Sequence, residues 1–157
     1  VDVEEVNGTI EVVEATHRLF RDVLRSPSIP WFFKGYERFI IEKYCRPVSV
    51  KAGEVLIFDD SIIHYSKPNR GTYNRLVIQV IAKPKEAQAK HYYMNKKLFG
   101  YDMEEMDVDK DFFLNFQYHI TDKPVGELRH RKITYKHPRI SKDKFADICS
   151  QPTHNYI

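Results

Sequence analysis

The chain has 157 residues, enough for one domain with a real core, and its 42% hydrophobic and 30% charged content is that of a soluble globular protein. Ten Tyr and ten Phe exclude a disordered chain, because large apolar groups offset the entropy of ordering, and a net charge of +3 argues against a general polyanion binder. Cys45 and Cys149 form neither a C-x-x-C pair nor a disulfide framework, no apolar run approaches the roughly 20 residues that span a membrane, and no signal peptide opens the chain. A cytoplasmic protein that engages no membrane is the expectation. The opening "VDVEEVNGTIEVVEATH" has no initiator Met and is strand-like from its first residue, so it reads as a start inside an element.

Asn7-Gly8 between "VDVEEV" and "TIEVVEA" predicts a β-hairpin with a type I′ turn. From Thr16, "THRLFRDVLR" puts Leu19, Phe20, Val23 and Leu24 on one helical face, with Thr16 as cap and Pro27 and Pro30 ending the helix. The aromatic stretch "WFFKGYERFIIEKYC" has an ambiguous period, and Trp31, Phe32 and Phe33 suit core cover better than a substrate mouth. Next, "PVSVKAGEVLIF" reads as strand, turn at Ala52-Gly53, and strand; "SIIHYS" as a strand; "KPNRGTYN" as a loop; "RLVIQVIAK" as another strand. Short strands in series predict an antiparallel sandwich or barrel rather than βαβ units. After Pro84 an acidic run carries six carboxylates from Asp102 to Asp111, and a basic run carries seven Lys/Arg from Arg129 to Lys144. They read as solvated faces able to pair with each other. Ser141 caps a last short helix burying Phe145, Ile148 and Cys149. The expected division is a β core over residues 1–84 and an extension over 85–157 that packs on it.

The stretch "DDSIIHYSKPNRGTYNRLVIQV" raises a chemical question. His64 and Ser66 share a strand face, and Arg75 follows His64 by eleven residues. If Ser66 pairs with Arg75 across a hairpin, His64 faces Val77, and imidazole, hydroxyl and guanidinium point to one side. A neutral imidazole suits iron(II), and a guanidinium clamps a carboxylate through two parallel hydrogen bonds. A metal ligand beside such a clamp suits a 2-oxo acid. The bland readings are a hydrogen-bonded strand-end His, a solvated Arg and a Ser bonding the turn backbone. Asn69 and Gly71 read as turn residues, as do Asp59 and Asp60, whose adjacency puts them on opposite faces. His17 reads as a residue near a helix start rather than a ligand.

The ordered set "NGTIEVVEATH", "PVSVKAGEVLIFDDSIIHYSKPN" and Arg75 resembles the phytanoyl-CoA dioxygenase family of iron(II)/2-oxoglutarate oxygenases, over roughly Val1 to Pro84. The resemblance implies a mainly β fold, a partial double-stranded β-helix (cupin-like jelly roll) with short helices. It implies His64 as metal ligand, Ser66 and Arg75 as 2-oxoglutarate ligands, and Fe(II) and 2-oxoglutarate as cofactors. The reaction implied is hydroxylation of a small-molecule substrate with O₂. The family's iron site also needs a His-x-Asp or His-x-Glu pair. The residues two after the seven histidines are Leu19, Ser66, Tyr93, Thr121, Lys132, Arg139 and Tyr156, none of them acidic. The chain therefore reads as the C-terminal portion of a larger oxygenase, inactive by itself. The alternatives are a non-enzymatic cupin-like ligand-binding module and, less favoured by the balanced charge, a nucleic-acid or polyanion binder through residues 129–144. Substrate, hydroxylation against halogenation, and oligomeric state stay open.

Overall fold

The computed structural model describes residues 2–20, 23–31, 33–95, 102–115, 130–136, 138 and 140–150. In chain order the elements are a 3₁₀ turn (Glu5–Asn7), β1 (Ile10–Val13), α1 (His17–Phe20), α2 (Glu37–Tyr44), β2 (Arg46–Val48), β3 (Ile63–Ser66), β4 (Lys90–Asn95), β5 (Asp102–Asp107), α3 (Lys110–Asn115), β6 (His130–Thr134) and α4 (Lys142–Ser150). Strands dominate and pair into two antiparallel sheets, so the fold is mainly β, as the strand series predicts. The chain divides into two compact units, one of residues 1–22, 33–80 and 140–157, the other of 23–32 and 81–139. Among the described residues no helix is long and apolar enough to cross a membrane.

The first unit is built on a three-stranded sheet in the order β2-β1-β3. Val13 on β1 is buried together with Phe20, Phe33, Ile40, Cys45 and Phe145. Phe33 is fully buried and makes edge-to-face contacts with Phe20 at 5.3 Å, Tyr36 at 5.5 Å and Phe145 at 5.2 Å between centroids. It is therefore core, as composition favoured; Trp31 is exposed, and Phe32 lies outside the described residues. The Ser141 hydroxyl accepts the Lys144 N–H at 3.2 Å, capping α4, and Phe145 is buried as the periodicity predicts.

Three expectations fail in this unit. Asn7-Gly8 makes no hairpin turn. The Asn7 side chain accepts the Glu4 N–H at 2.9 Å and donates to the Asp2 carbonyl at 2.8 Å, which winds residues 5–7 into a 3₁₀ turn. Gly8 (φ +83°) ends that turn, and the preceding segment bridges Val50 through Val3 instead of pairing with β1. Helix α1 stops at Phe20, and Val23 and Leu24 lie outside any helix. The Thr16 hydroxyl donates to the Val13 carbonyl at 2.7 Å and accepts the Ile63 N–H at 2.9 Å, so it ties β1 to β3. Finally, the runs after Gly53 and after Asn74 form no strand. Val55, Ile57, Leu76, Ile78 and Val80 are each at least 80% exposed. Their sequences alternate as strands do, but no ladder among the described residues offers their backbones a partner.

The second unit is a β4-β5-β6 meander with Met94, Met103, Met106 and Val108 buried. Here the acidic and basic runs lie on neighbouring strands, with Glu105 opposite Arg131 and Glu104 opposite Lys132. The Glu105 carboxylate is 2.7 Å from both Lys90 Nζ and Arg131 Nη2; the lysine hydrogen bond comes first among the influences holding its pKa below the usual carboxylate value. The loop at 23–31 is pinned to β4 through Ser28, whose buried hydroxyl accepts the Met94 N–H at 2.9 Å and donates to the Tyr92 carbonyl at 3.4 Å.

Candidate functional site

The strand register sets which candidate residues share a face. Val12 on the central strand β1 stands opposite Arg46 of β2 on one side and His64 of β3 on the other. Two residues along, Ile10 stands opposite Val48 and Ser66. Directly opposite residues share a face, so Arg46, Val12, His64, Val48, Ile10 and Ser66 form one surface of the sheet. This surface is open: Arg46, His64 and Ser66 are exposed, and Ile10, Val12 and Val48 half-buried. The opposite face carries the core residue Val13 and the buried carboxylate of Glu11, which pairs with Lys67 Nζ at 2.6 Å.

β3 is held by its flanks. Asp59 accepts the Ser61 N–H at 2.7 Å and also the Ser61 hydroxyl, and the Asp59 carbonyl accepts the Ile62 N–H at 2.9 Å. The carboxylate thus serves the turn, as its position suggested. After Ser66, Asn69 accepts the Gly71 N–H at 2.7 Å and donates to the Tyr73 carbonyl at 2.9 Å, which is again turn duty.

His64 is the candidate ligand on this face. Its Nδ1 lies 2.9 Å from the Ile62 carbonyl, which can only accept, so Nδ1 bears the proton and the Nε2 lone pair is left for a ligand. A backbone carbonyl fixing one imidazole nitrogen is the usual support of a metal-bound histidine. The ring also leans on Phe58, with centroids 5.2 Å apart and planes at 60°.

The partners expected for His64 divide. Ser66 shares its face by strand alternation. The hairpin that would set Ser66 against Arg75 and His64 against Val77 does not form, because β3 pairs with β1. Arg75 is half-buried in irregular chain after Tyr73. His17 stands at the start of α1, away from any ladder. Among the described residues no three His, Cys, Asp or Glu side chains gather to hold a metal ion. Neither cysteine offers a thiolate, since burial raises the Cys45 pKa and pushes Cys149 up to about 11. His64 by itself fits a metal ligand, but these residues do not complete a three-ligand iron site. Arg46 is the residue that sequence reading overlooked. The predicted strand began at Pro47, one residue too late to place a guanidinium on the face of His64.

Residues 1–77 match the family model described as Phytanoyl-CoA dioxygenase (PhyH). Over this stretch, just under half of its length, the chain is similar to the phytanoyl-CoA dioxygenase family. The match takes in β1, β2, β3, His64, Ser66 and Arg75, and it gives the chain an oxygenase-type relationship, for which O₂ and a small-molecule substrate are the general terms. No curated protein and no solved structure matches the chain.

Proposed function

We propose that this chain carries part of an iron(II)/2-oxoglutarate-dependent oxygenase site that hydroxylates a small molecule. On this reading the sheet β2-β1-β3 is one wall of a double-stranded β-helix, and its open face looks into the reaction cavity. His64 supplies one imidazole ligand through Nε2. Ser66 and Arg75 hold the far carboxylate of 2-oxoglutarate, the guanidinium by two parallel hydrogen bonds. A second histidine and a carboxylate come from polypeptide outside these 157 residues, because no His-x-Asp or His-x-Glu occurs within them. Bound iron with 2-oxoglutarate would supply the oxidising chemistry; the residues here bind, orient and shield.

The single supporting observation is the Nδ1–Ile62 carbonyl contact inside the family-matched stretch, which leaves Nε2 of an exposed imidazole available. The test is iron content and substrate-linked 2-oxoglutarate turnover of the gene product that includes these residues. His64→Ala should lose iron. Arg75→Lys should raise the 2-oxoglutarate concentration for half-maximal turnover at least roughly tenfold, the worth of one charge-assisted hydrogen bond. Normal turnover in both variants removes this reading.

A second reading is a cupin-like ligand-binding module without catalysis. It is favoured by the lack of a three-ligand cluster among the described residues. It predicts ligand binding that is indifferent to His64→Ala.

A further inference from the structure

We infer that Arg46 is an anion-binding residue of the open sheet face, and that the substrate taken there carries a carboxylate or phosphate group. The inference rests on the oxygenase reading for the role of His64, but the anion site follows from the register alone. Arg46 and His64 flank Val12 in one rung of the sheet, so their α-carbons stand about 10 Å apart, two interstrand spacings. A small molecule lying over Val12 spans that gap, with its charged end at the guanidinium and its body beside the imidazole.

The electrostatics agree. The six residues that make this surface include no carboxylate, and the nearest acidic side chain on β1, Glu11, is on the opposite face and paired with Lys67. Arg46 donates Nη1–H to the Cys45 carbonyl at 3.0 Å, and no carboxylate among the described residues pairs with it. That bond steadies the guanidinium at the strand edge and leaves most of its five N–H donors for a planar anion. Ile10, Val12 and Val48 are half-buried and apolar, so the floor between the polar groups favours an aliphatic body over a second charge. Arg75 is not a substitute here, since it lies on no strand of this sheet.

The test is titration of the full chain with butyrate and, separately, inorganic phosphate, with butylamine as the cationic control. The methyl resonances of Val12 and the imidazole Cε1–H of His64 are followed by NMR. Either anion should shift Val12, with saturation in the millimolar range expected of so small a ligand on an open face, while butylamine should not. Arg46→Gln should weaken the response at least tenfold, and Arg46→Lys should keep part of it because the charge remains. Unchanged Val13 and Phe33 resonances show that each variant keeps its core. His64→Ala should keep the anion response at Val12 in this chain, while in the gene product that includes these residues it should lose Co(II) binding, so the metal and anion readings fail separately. The proposal is overturned if no anion shifts Val12, or if Arg46→Gln responds like the parent chain.

Discussion

Glu11 and Lys67 form an ion pair of 2.6 Å behind the strand pair that presents His64. The carboxylate is almost wholly buried, while the ammonium is partly exposed and is also 3.2 Å from Glu5. Hydrogen bonds to Glu11 first, then Glu5, push the Lys67 pKa up to about 12, so the ammonium stays charged throughout the neutral range. Removing the cation leaves a buried charge without its partner, which costs more than the pair itself contributes. Lys67→Met should therefore lower the thermal midpoint well beyond the change from the exposed Lys132→Met. The double variant Glu11→Leu/Lys67→Met should recover more than half of the loss. A double variant no more stable than Lys67→Met would show that the pair does not govern this sheet.

Thr16 is fully buried and bonds on both sides, to the Val13 carbonyl and from the Ile63 N–H. Valine has the same shape without the hydroxyl, so Thr16→Val leaves the partly buried amide at the first residue of β3 without its acceptor. The expected loss is about 1–3 kcal/mol in urea unfolding, with an unchanged slope. Because Ile63 begins the strand that carries His64, its amide should also exchange faster with solvent in the variant.

Gly8 is required for two reasons. Its φ of +83° strains any side-chain residue, and a Cβ there would stand about 2.5 Å from the Lys67 carbonyl oxygen, a backbone atom. The turn that ends before β1 thus presses on the chain that leaves β3. Gly8→Ala should destabilise by about 1–3 kcal/mol and displace residues 67–69, visible as amide shifts at Lys67 and Asn69. The same substitution at Gly53, which also has positive φ but no neighbour within 4 Å of its added Cβ, should cost less. Equal losses at the two glycines would rule out the close approach.

Sequence reading found what depends on neighbours along the chain. Strand alternation put His64 and Ser66 on one face, Asp59 and Asn69 were turn residues, and Ser141 capped the final helix with Phe145 inward. It failed where pairing over distance decides. The Asn7 amide found backbone partners in residues 2–4, so the hairpin signal lost to a 3₁₀ turn. β3 chose β1 rather than residues 75–82, which moved Val12 into the place expected for Val77 and left Arg75 off the ladder. Register carries no mark in a single strand, since "IEVV" is compatible with several neighbours. For the same reason Arg46 could not be recognised until β2 was seen against β1. The family order assigned roles to His64, Ser66 and Arg75, but what surrounds them depends on strands that the local pattern does not choose.

His91 gives the second unit a pH dependence. It is buried on β4 opposite Met106, and its ring leans on Phe112 with centroids 5.2 Å apart. Burial lowers its pKa below 6.5, because the imidazolium loses its hydration there. The unfolded chain therefore takes up the proton first as pH falls. Stability is unaffected above about 6.5 and declines below it, until the folded-state pKa is reached. Hydrogen exchange at the β4–β5 ladder should accelerate between pH 6.5 and 5 beyond the intrinsic chemical trend. His91→Phe keeps an aromatic ring against Phe112 and has nothing to protonate, so its protection should be flat over that window. A variant that retains the acid-side loss would place the sensitive group elsewhere than β4.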